Sequence, residues 1–219
     1  MPHLKSTIEF HVPEPTLRRL PWYLAFAKLA LQQGESFLSS TRIAKSIAVD
    51  ASMVAKDLSF VKISGRTRVG YDVSELVAIL EHFLGFTDSH QAYLFGVGNL
   101  GGALMHDNGL QQFGMEIMAG FDVRHELTGT SINHIPIHHI DKFTEFQQQT
   151  GIHIGILTVP VDKAQEVSDI MVKGGIKAIW NFTPYRIVVP ENVIVQNTSI
   201  YAHLAVMFNR LNALKELDL

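Results

Sequence analysis

The chain has 219 residues, 47% of them apolar and 18% charged, and no cysteine, which fits one large globular domain or two modest ones and excludes disulfides, thiolate metal sites and thiol redox sensing. No stretch approaches the roughly 18 consecutive apolar residues of a membrane span, and Met1-Pro2-His3-Leu4-Lys5 lacks the charged-then-apolar pattern of a signal peptide, so a cytoplasmic protein with no membrane partner is expected. Charge is divided unevenly, ten Lys/Arg against five Asp/Glu in residues 1–70 and eight against sixteen in 71–219, so that a polyanion is drawn to the first part and repelled by the second.

After a polar tail, Pro15 to Gln33 places Leu17, Leu20, Leu24, Ala27 and Leu31 at helical spacing, with Pro21 bending the first turns and Gly34 ending the helix. Ser39-Ser40-Thr41 offers N-cap oxygens for a short helix over 42–47, and Asp50 or Ser52 caps a third that runs to about Ser59. Three short helices in this span predict a helix-turn-helix unit. From Phe60 to Val73 the apolar positions Val61, Ile63, Val69 and Tyr71 alternate around Ser64-Gly65-Arg66-Thr67-Arg68, which predicts the wing of a winged helix.

Residues 74–86 read as a linking helix, with Leu76, Ile79, Leu80 and Phe83 on one face. Strands at 92–95, 116–122, 154–159, 178–182 and 193–196 then alternate with helices after Gly101, near 141–149 and at 161–172, the pattern of a parallel Rossmann sheet. Residues 199–217 close the chain as an amphipathic helix with Ile200, Leu204, Phe208, Leu211 and Leu214 in a stripe. This helix follows a complete domain, which makes a partner subunit a plausible place for the stripe to pack.

The apolar strand at 92–95 feeds Gly96-x-Gly98-x-x-Gly101, and the next strand closes on Asp122, which together make a dinucleotide-binding fingerprint in its full context. Gly96 permits the tight turn, Gly98 lets a pyrophosphate approach the backbone at the positive helix end, where Asn99 and Leu100 follow, and Gly101 allows close helix–strand packing. The Asp122 carboxylate accepts from the adenosine ribose hydroxyls and repels a 2′-phosphate, so NAD and NADH are favoured, while Arg124 nearby is a group that accommodates such a phosphate.

In the basic part, Arg42 and Lys45 fall on the second helix, Lys56 on the third, and Lys62, Arg66 and Arg68 in the wing. These neutralise DNA phosphates while the third helix enters the major groove; the plainer alternative is the solvated face of a helical cap. Of the eleven histidines, His134, His138 and His139 lie on a loop and a strand without the spacing of a helical metal site, so no metal is expected.

Several blocks resemble the Rex family of redox-sensing transcriptional repressors, in order and over nearly the whole chain: Pro15-Thr16-Leu17-Arg18-Arg19-Leu20-Pro21-x-Tyr23-Leu24, Lys56-Asp57-Leu58-Ser59, Val69-Gly70-Tyr71-Asp72-Val73, Gly98-Asn99-Leu100-Gly101, Phe121-Asp122-Val123, His139-Ile140-Asp141, Ile156-Leu157-Thr158-Val159-Pro160 and Asn181-Phe182-x-Pro184. The resemblance implies an α/β protein with an N-terminal winged helix-turn-helix (1–86), a Rossmann NAD(H)-binding domain (87–197) and a C-terminal helix (198–219) exchanged between the subunits of a homodimer. It implies that NADH disfavours binding to double-stranded operator DNA while NAD permits it. It adds Thr158, Val159 and Pro160 to the nucleotide site and Ser59 to the DNA contacts. Ala55 stands where the family commonly has Arg, Phe60-Val61-Lys62 replaces a Tyr-Phe-Gly-like stretch, and of the redox-switch groups Arg19 is retained while Asp107 and Ser199 stand where a tyrosine and an acid are usual.

The expected function is therefore a repressor responding to the NADH/NAD ratio, with no chemistry of its own. Two other readings stay open at this stage: an NAD-dependent dehydrogenase with a helical cap, which needs a proton-transfer group beside a substrate pocket, and a dinucleotide-regulated interaction module without DNA binding.

Overall fold

The computed structural model describes residues 12–217, which divide into two compact units between Asp88 and Ser89. In the first, helix α1 (Glu14–Gln32) carries Pro15 in its opening turn, where a missing N–H costs nothing, and continues through Pro21. Gly34, at φ +77°, turns the chain into a short strand β1 (Phe37–Leu38). Helix α2 (Ser40–Ser46) follows, capped by Ser39, whose Oγ accepts from the Arg42 N–H at 3.2 Å, and α3 (Ala51–Phe60) begins after Asp50. Strand β2 (Tyr71–Asp72) pairs antiparallel with β1. Asp72 then caps α4 (Val73–Phe83) by accepting from the Glu75 N–H at 3.0 Å. Leu20, Tyr23, Leu24, Leu38, Ile43, Val54, Leu58, Leu76 and Leu80 form one buried core under these elements, so apolar burial rather than length stabilises the short helices.

The alternating strand expected across Phe60–Val73 does not form. Val61 and Ile63 are both buried, and Lys62 and Arg68 sit at φ +60° and +63°, which interrupts any extended run. The wing is instead a tight loop closed by one bridge, with the Arg66 N–H donating to Gly70 O at 2.8 Å and the Gly70 N–H to Arg66 O at 2.9 Å. Gly70 is at φ +107°, and a Cβ there would lie 2.3 Å from Leu38 O. Only glycine lets the loop pass so close to β1.

The second unit contains β3 (His90–Phe95), α5 (Asn99–His106), α6 (Gly109–Gln112), β4 (Met115–Asp122), β5 (Ser131–Ile132), β6 (Ile135–His139), α7 (Phe143–Thr150), β7 (Ile154–Leu157), α8 (Ala164–Lys173), β8 (Ala178–Asn181), β9 (Ile194–Asn197) and α9 (Ile200–Leu217). The sheet runs β5-β6-β4-β3-β7-β8-β9, parallel throughout except for the β5–β6 hairpin. Without that hairpin strand it is the doubly wound order of a Rossmann domain. Tyr93, Phe95, Phe121 and Phe143 pack with ring centroids 4.9 to 6.0 Å apart, at the centre of a core with Leu157, Val167, Met171 and Ile179. The hairpin turn, Asn133-His134, has both residues at positive φ (49° and 65°), the geometry whose twist matches the flanking strands. Ser199 caps α9, its Oγ accepting from the Ala202 N–H at 3.2 Å. Every residue from Ile200 to Leu214 is exposed, so among the described residues nothing covers the apolar stripe.

Candidate functional site

The strand order reverses between β3 and β7, and the loops at their carboxyl ends flank the crevice where such sheets bind ligands. Gly96 turns sharply at φ +94°, and a Cβ on it would lie 2.8 Å from Val159 Cγ1 and 2.9 Å from Thr158 O. The Thr158 Oγ1 donates to Gly96 O at 2.8 Å, and the Thr158 N–H to Phe95 O at 2.9 Å, so the loop after β7 buttresses the loop after β3. A Cβ on Gly101 would lie 2.1 Å from Gly96 O, which fixes glycine there for packing, whereas one on Gly98 would meet nothing within 4 Å. Gly98 therefore faces open space at the N-cap of α5, and Asn99, Leu100 and Gly101 supply the unpaired N–H groups of the first helical turn. Open space over that positive helix end fits a pyrophosphate. Pro160, exposed, leads out of the second loop.

Asp122 ends β4, nearly buried, and both its oxygens are engaged. Oδ2 accepts from the Val97 N–H at 2.7 Å and Arg124 Nη2 at 3.1 Å, while Oδ1 accepts from the Arg124 N–H at 2.9 Å and Nε at 3.0 Å. Burial alone would raise the Asp122 pKa; the Arg124 guanidinium and the two backbone donors outweigh it and hold the carboxyl below its usual range. His139 lies opposite Asp122 in β6. Its ring stacks on His125 at 4.8 Å, and its Nδ1 sits 3.1 Å from Asp141 Oδ2. His134 is the hairpin-turn residue; His138 is wedged between Phe121 and Phe146, where burial pushes its pKa down. Among the described residues no three metal-ligating side chains gather.

The three redox-switch candidates are each occupied locally. Arg19 donates through Nε to Asp57 Oδ2 at 2.7 Å and through Nη2 to Asp57 Oδ1 at 2.8 Å. The same carboxylate accepts from Thr16 Oγ1 at 2.8 Å and Tyr23 Oη at 2.6 Å, so three residues of α1 converge on one residue of α3. Burial, then the bond to Asp57, pushes the Tyr23 pKa up to about 12. Asp57 is 2% exposed, and its three partners more than offset the effect of burial and hold it below the usual carboxylate range. Asp107, in the second unit, ends α5 and accepts from the Gly109 N–H at 2.9 Å. Ser199 is the α9 cap described above.

The basic candidates all lie in the first unit and are exposed. Lys45 lies in the last turn of α2, Lys56 stands on α3, and Lys62, Arg66 and Arg68 follow in the wing loop. The Ser59 Oγ donates to Lys56 O at 2.6 Å. Arg66 lies 5.6 Å over the Phe37 ring. Arg42 is tied by both guanidinium nitrogens to Glu35, which the spacing of basic residues did not reveal. The outward face of α3 consists of Ser52, Met53, Ala55, Lys56 and Ser59.

Two family models match, "Putative DNA-binding protein N-terminus" over residues 11–59 and "CoA binding domain" over 87–185. A Bacteroides fragilis protein described as "Redox-sensing transcriptional repressor Rex" is 65% identical over 92% of this chain and 91% of its own length. The chain belongs to the Rex family. The Rex repressor of Porphyromonas gingivalis is 58% identical over 95% of this chain and 96% of its own. Among solved Rex structures, RSP in complex with β-NAD+ and operator DNA matches at TM-score 0.88 and 31% identity, covering 94% of this chain and 95% of RSP. RSP in complex with β-NADH matches at TM-score 0.85 over 94% and 97%. The Rex relatives are repressors rather than enzymes, and the dehydrogenase reading finds no support: the segment it required as a helical cap matches a DNA-binding model.

The fingerprint glycines and Asp122 are legible in the sequence, whereas the buried carboxylate that ties α1 to α3 is not. Asp57 stood in a quoted block with no role assigned, although a lone acid between apolar positions of a helix, with Arg19 and Tyr23 on a neighbouring one, is a signal of a buried pair.

Proposed function

We propose that this protein is a cytoplasmic, homodimeric repressor that binds operator DNA in its NAD-bound or free state and is released by NADH. The observation that carries it is the match along 94% of the chain to a Rex-family repressor bound to both β-NAD+ and operator DNA, joined to a glycine cradle with open space at the N-terminus of α5.

In this reading Gly96, Gly98, Asn99, Leu100, Gly101 and the loop Thr158–Pro160 hold the pyrophosphate side, and Asp122 addresses the adenosine ribose. Lys45, Lys56, Ser59, Lys62, Arg66 and Arg68 contact DNA, and Arg42 does so at the cost of its bond to Glu35. The dinucleotide supplies the signal, because oxidation adds one positive charge to the nicotinamide ring. A ligand shifts the DNA-competent population only by its differential affinity for two arrangements of the protein, and Arg19, Asp107 and Ser199 are the residues proposed to respond. The uncovered stripe Ile200, Leu204, Phe208 and Leu211 supports a helix exchanged between subunits, since exposed apolar faces of this kind are covered by a partner.

The test is fluorescence anisotropy of the full chain on DNA from the promoter of its own operon, at stated salt, titrated separately with NADH and NAD. The expected result is specific binding lost with NADH and spared by NAD. Retention of DNA at saturating NADH would overturn the reading, and no specific binding in either state would favour the interaction module.

A further inference from the structure

Asp122, the residue that should receive the adenosine ribose, is already saturated. A carboxylate offers about four acceptor positions, and here two are filled by the backbone N–H groups of Val97 and Arg124, and two by the Arg124 guanidinium. The guanidinium also donates to Val97 O at 2.7 Å. It thus spans from the end of β4 to the loop after β3 and engages both oxygens of the carboxylate that a ribose diol would have to reach. The backbone donors are fixed by the fold. The side-chain donors are not: the Arg124 side chain is 45% exposed against 8% for Asp122, so it can swing into solvent at small cost while the carboxylate keeps its orientation from the two backbone groups.

Resting on the dinucleotide reading above, we propose that Arg124 is a built-in competitor and specificity residue of the adenosine subsite. It holds the two acceptor positions of Asp122 that ribose hydroxyls take, which weakens NAD(H) binding. By partly neutralising Asp122, it also softens the repulsion of a 2′-phosphate and narrows the preference for NADH over NADPH. The sign is opposite to that of an ordinary binding-site arginine, whose removal weakens the ligand it touches.

Calorimetric titration of the full chain with NADH and with NADPH, on wild type, Arg124→Ala and Arg124→Lys, tests this. Arg124→Ala is expected to bind NADH tighter by up to about fivefold, the worth of one half-exposed ion pair, and to widen the ratio of NADH to NADPH affinity. Arg124→Lys keeps the charge without the planar fork, so it should bind NADH with intermediate affinity and retain wild-type tolerance of NADPH. Weaker or unchanged NADH binding by Arg124→Ala overturns the proposal while leaving the dinucleotide reading intact. If Arg124→Ala fails to fold, Arg124→Lys decides: NADH tighter than wild type supports the proposal, equal or weaker overturns it. A folded wild type that binds neither nucleotide overturns the dinucleotide reading, and the proposal with it.

Discussion

At the scale of single residues, two glycines and one aspartate separate packing from recognition. Gly101 cannot accept a side chain because its Cβ would overlap Gly96 O, while Gly98 borders open space. Gly98→Ala should therefore keep the wild-type melting temperature and lose at least about tenfold in NADH affinity, because the added methyl occupies the approach of the pyrophosphate; equal affinity would remove Gly98 from the site. Asp57 is a different case. Asp57→Asn leaves Arg19 without its charged partner beneath α3, and breaking such a pair costs about 3 kcal/mol, readable as a lower midpoint in urea. The pH dependence follows from the depressed pKa of Asp57 in the folded state. Its contribution is fully present above the unfolded value of roughly 3.9 and is lost as pH falls through the lower folded value. The Asn variant should therefore show a flatter acid limb than wild type. Part of this was legible in the sequence: the spacing assigns close packing to Gly101 and the approach of a pyrophosphate to Gly98, in line with the crowded and the open Cβ positions, whereas Asp57 was given no role. Ser199, a redox-switch candidate from the resemblance, has the visible role of a helix cap.

At the scale of elements, long periodic segments were readable and short irregular ones were not. Helices α1 and α4 and the central strands carry enough apolar repeats to announce themselves. In the wing, the alternation of Val61 and Ile63 predicts an extended run, but positive φ at Lys62 and Arg68 makes the segment a loop; nothing in the identity of a Lys or Arg signals that conformation. The β5–β6 hairpin was missed because its turn is Asn133-His134 rather than an Asn-Gly pair. Within the elements proposed to read DNA, the structure distinguishes residues that charge alone left equal. Lys56 on α3 is exposed without a charged partner among the salt bridges of the described residues, whereas Arg42 on α2 is bound to Glu35. Lys56→Ala is expected to weaken operator and nonspecific DNA alike and to reduce the salt slope by about 1. Arg42→Ala should do less, and the reverse order in a salt titration would contradict the assigned face.

At the scale of the whole molecule, the basic residues of the 1–70 stretch lie in the first unit and the glycine fingerprint in the second, so in the proposed reading any response to NADH has to cross between them. In the proposed dimer a second copy of the chain covers the exposed stripe of α9. A protein ending after Thr198 is expected to run as a monomer by light scattering where the full chain runs as a dimer, and a monomeric full chain would contradict the exchanged-helix reading. The central claim is a coupling free energy between two ligands, and coupling is reciprocal. The most direct measurement is therefore the NADH dissociation constant of the full chain, taken once alone and once saturated with operator DNA. The account predicts that operator DNA weakens NADH by the same factor by which NADH weakens operator DNA; an NADH affinity indifferent to bound operator would contradict it.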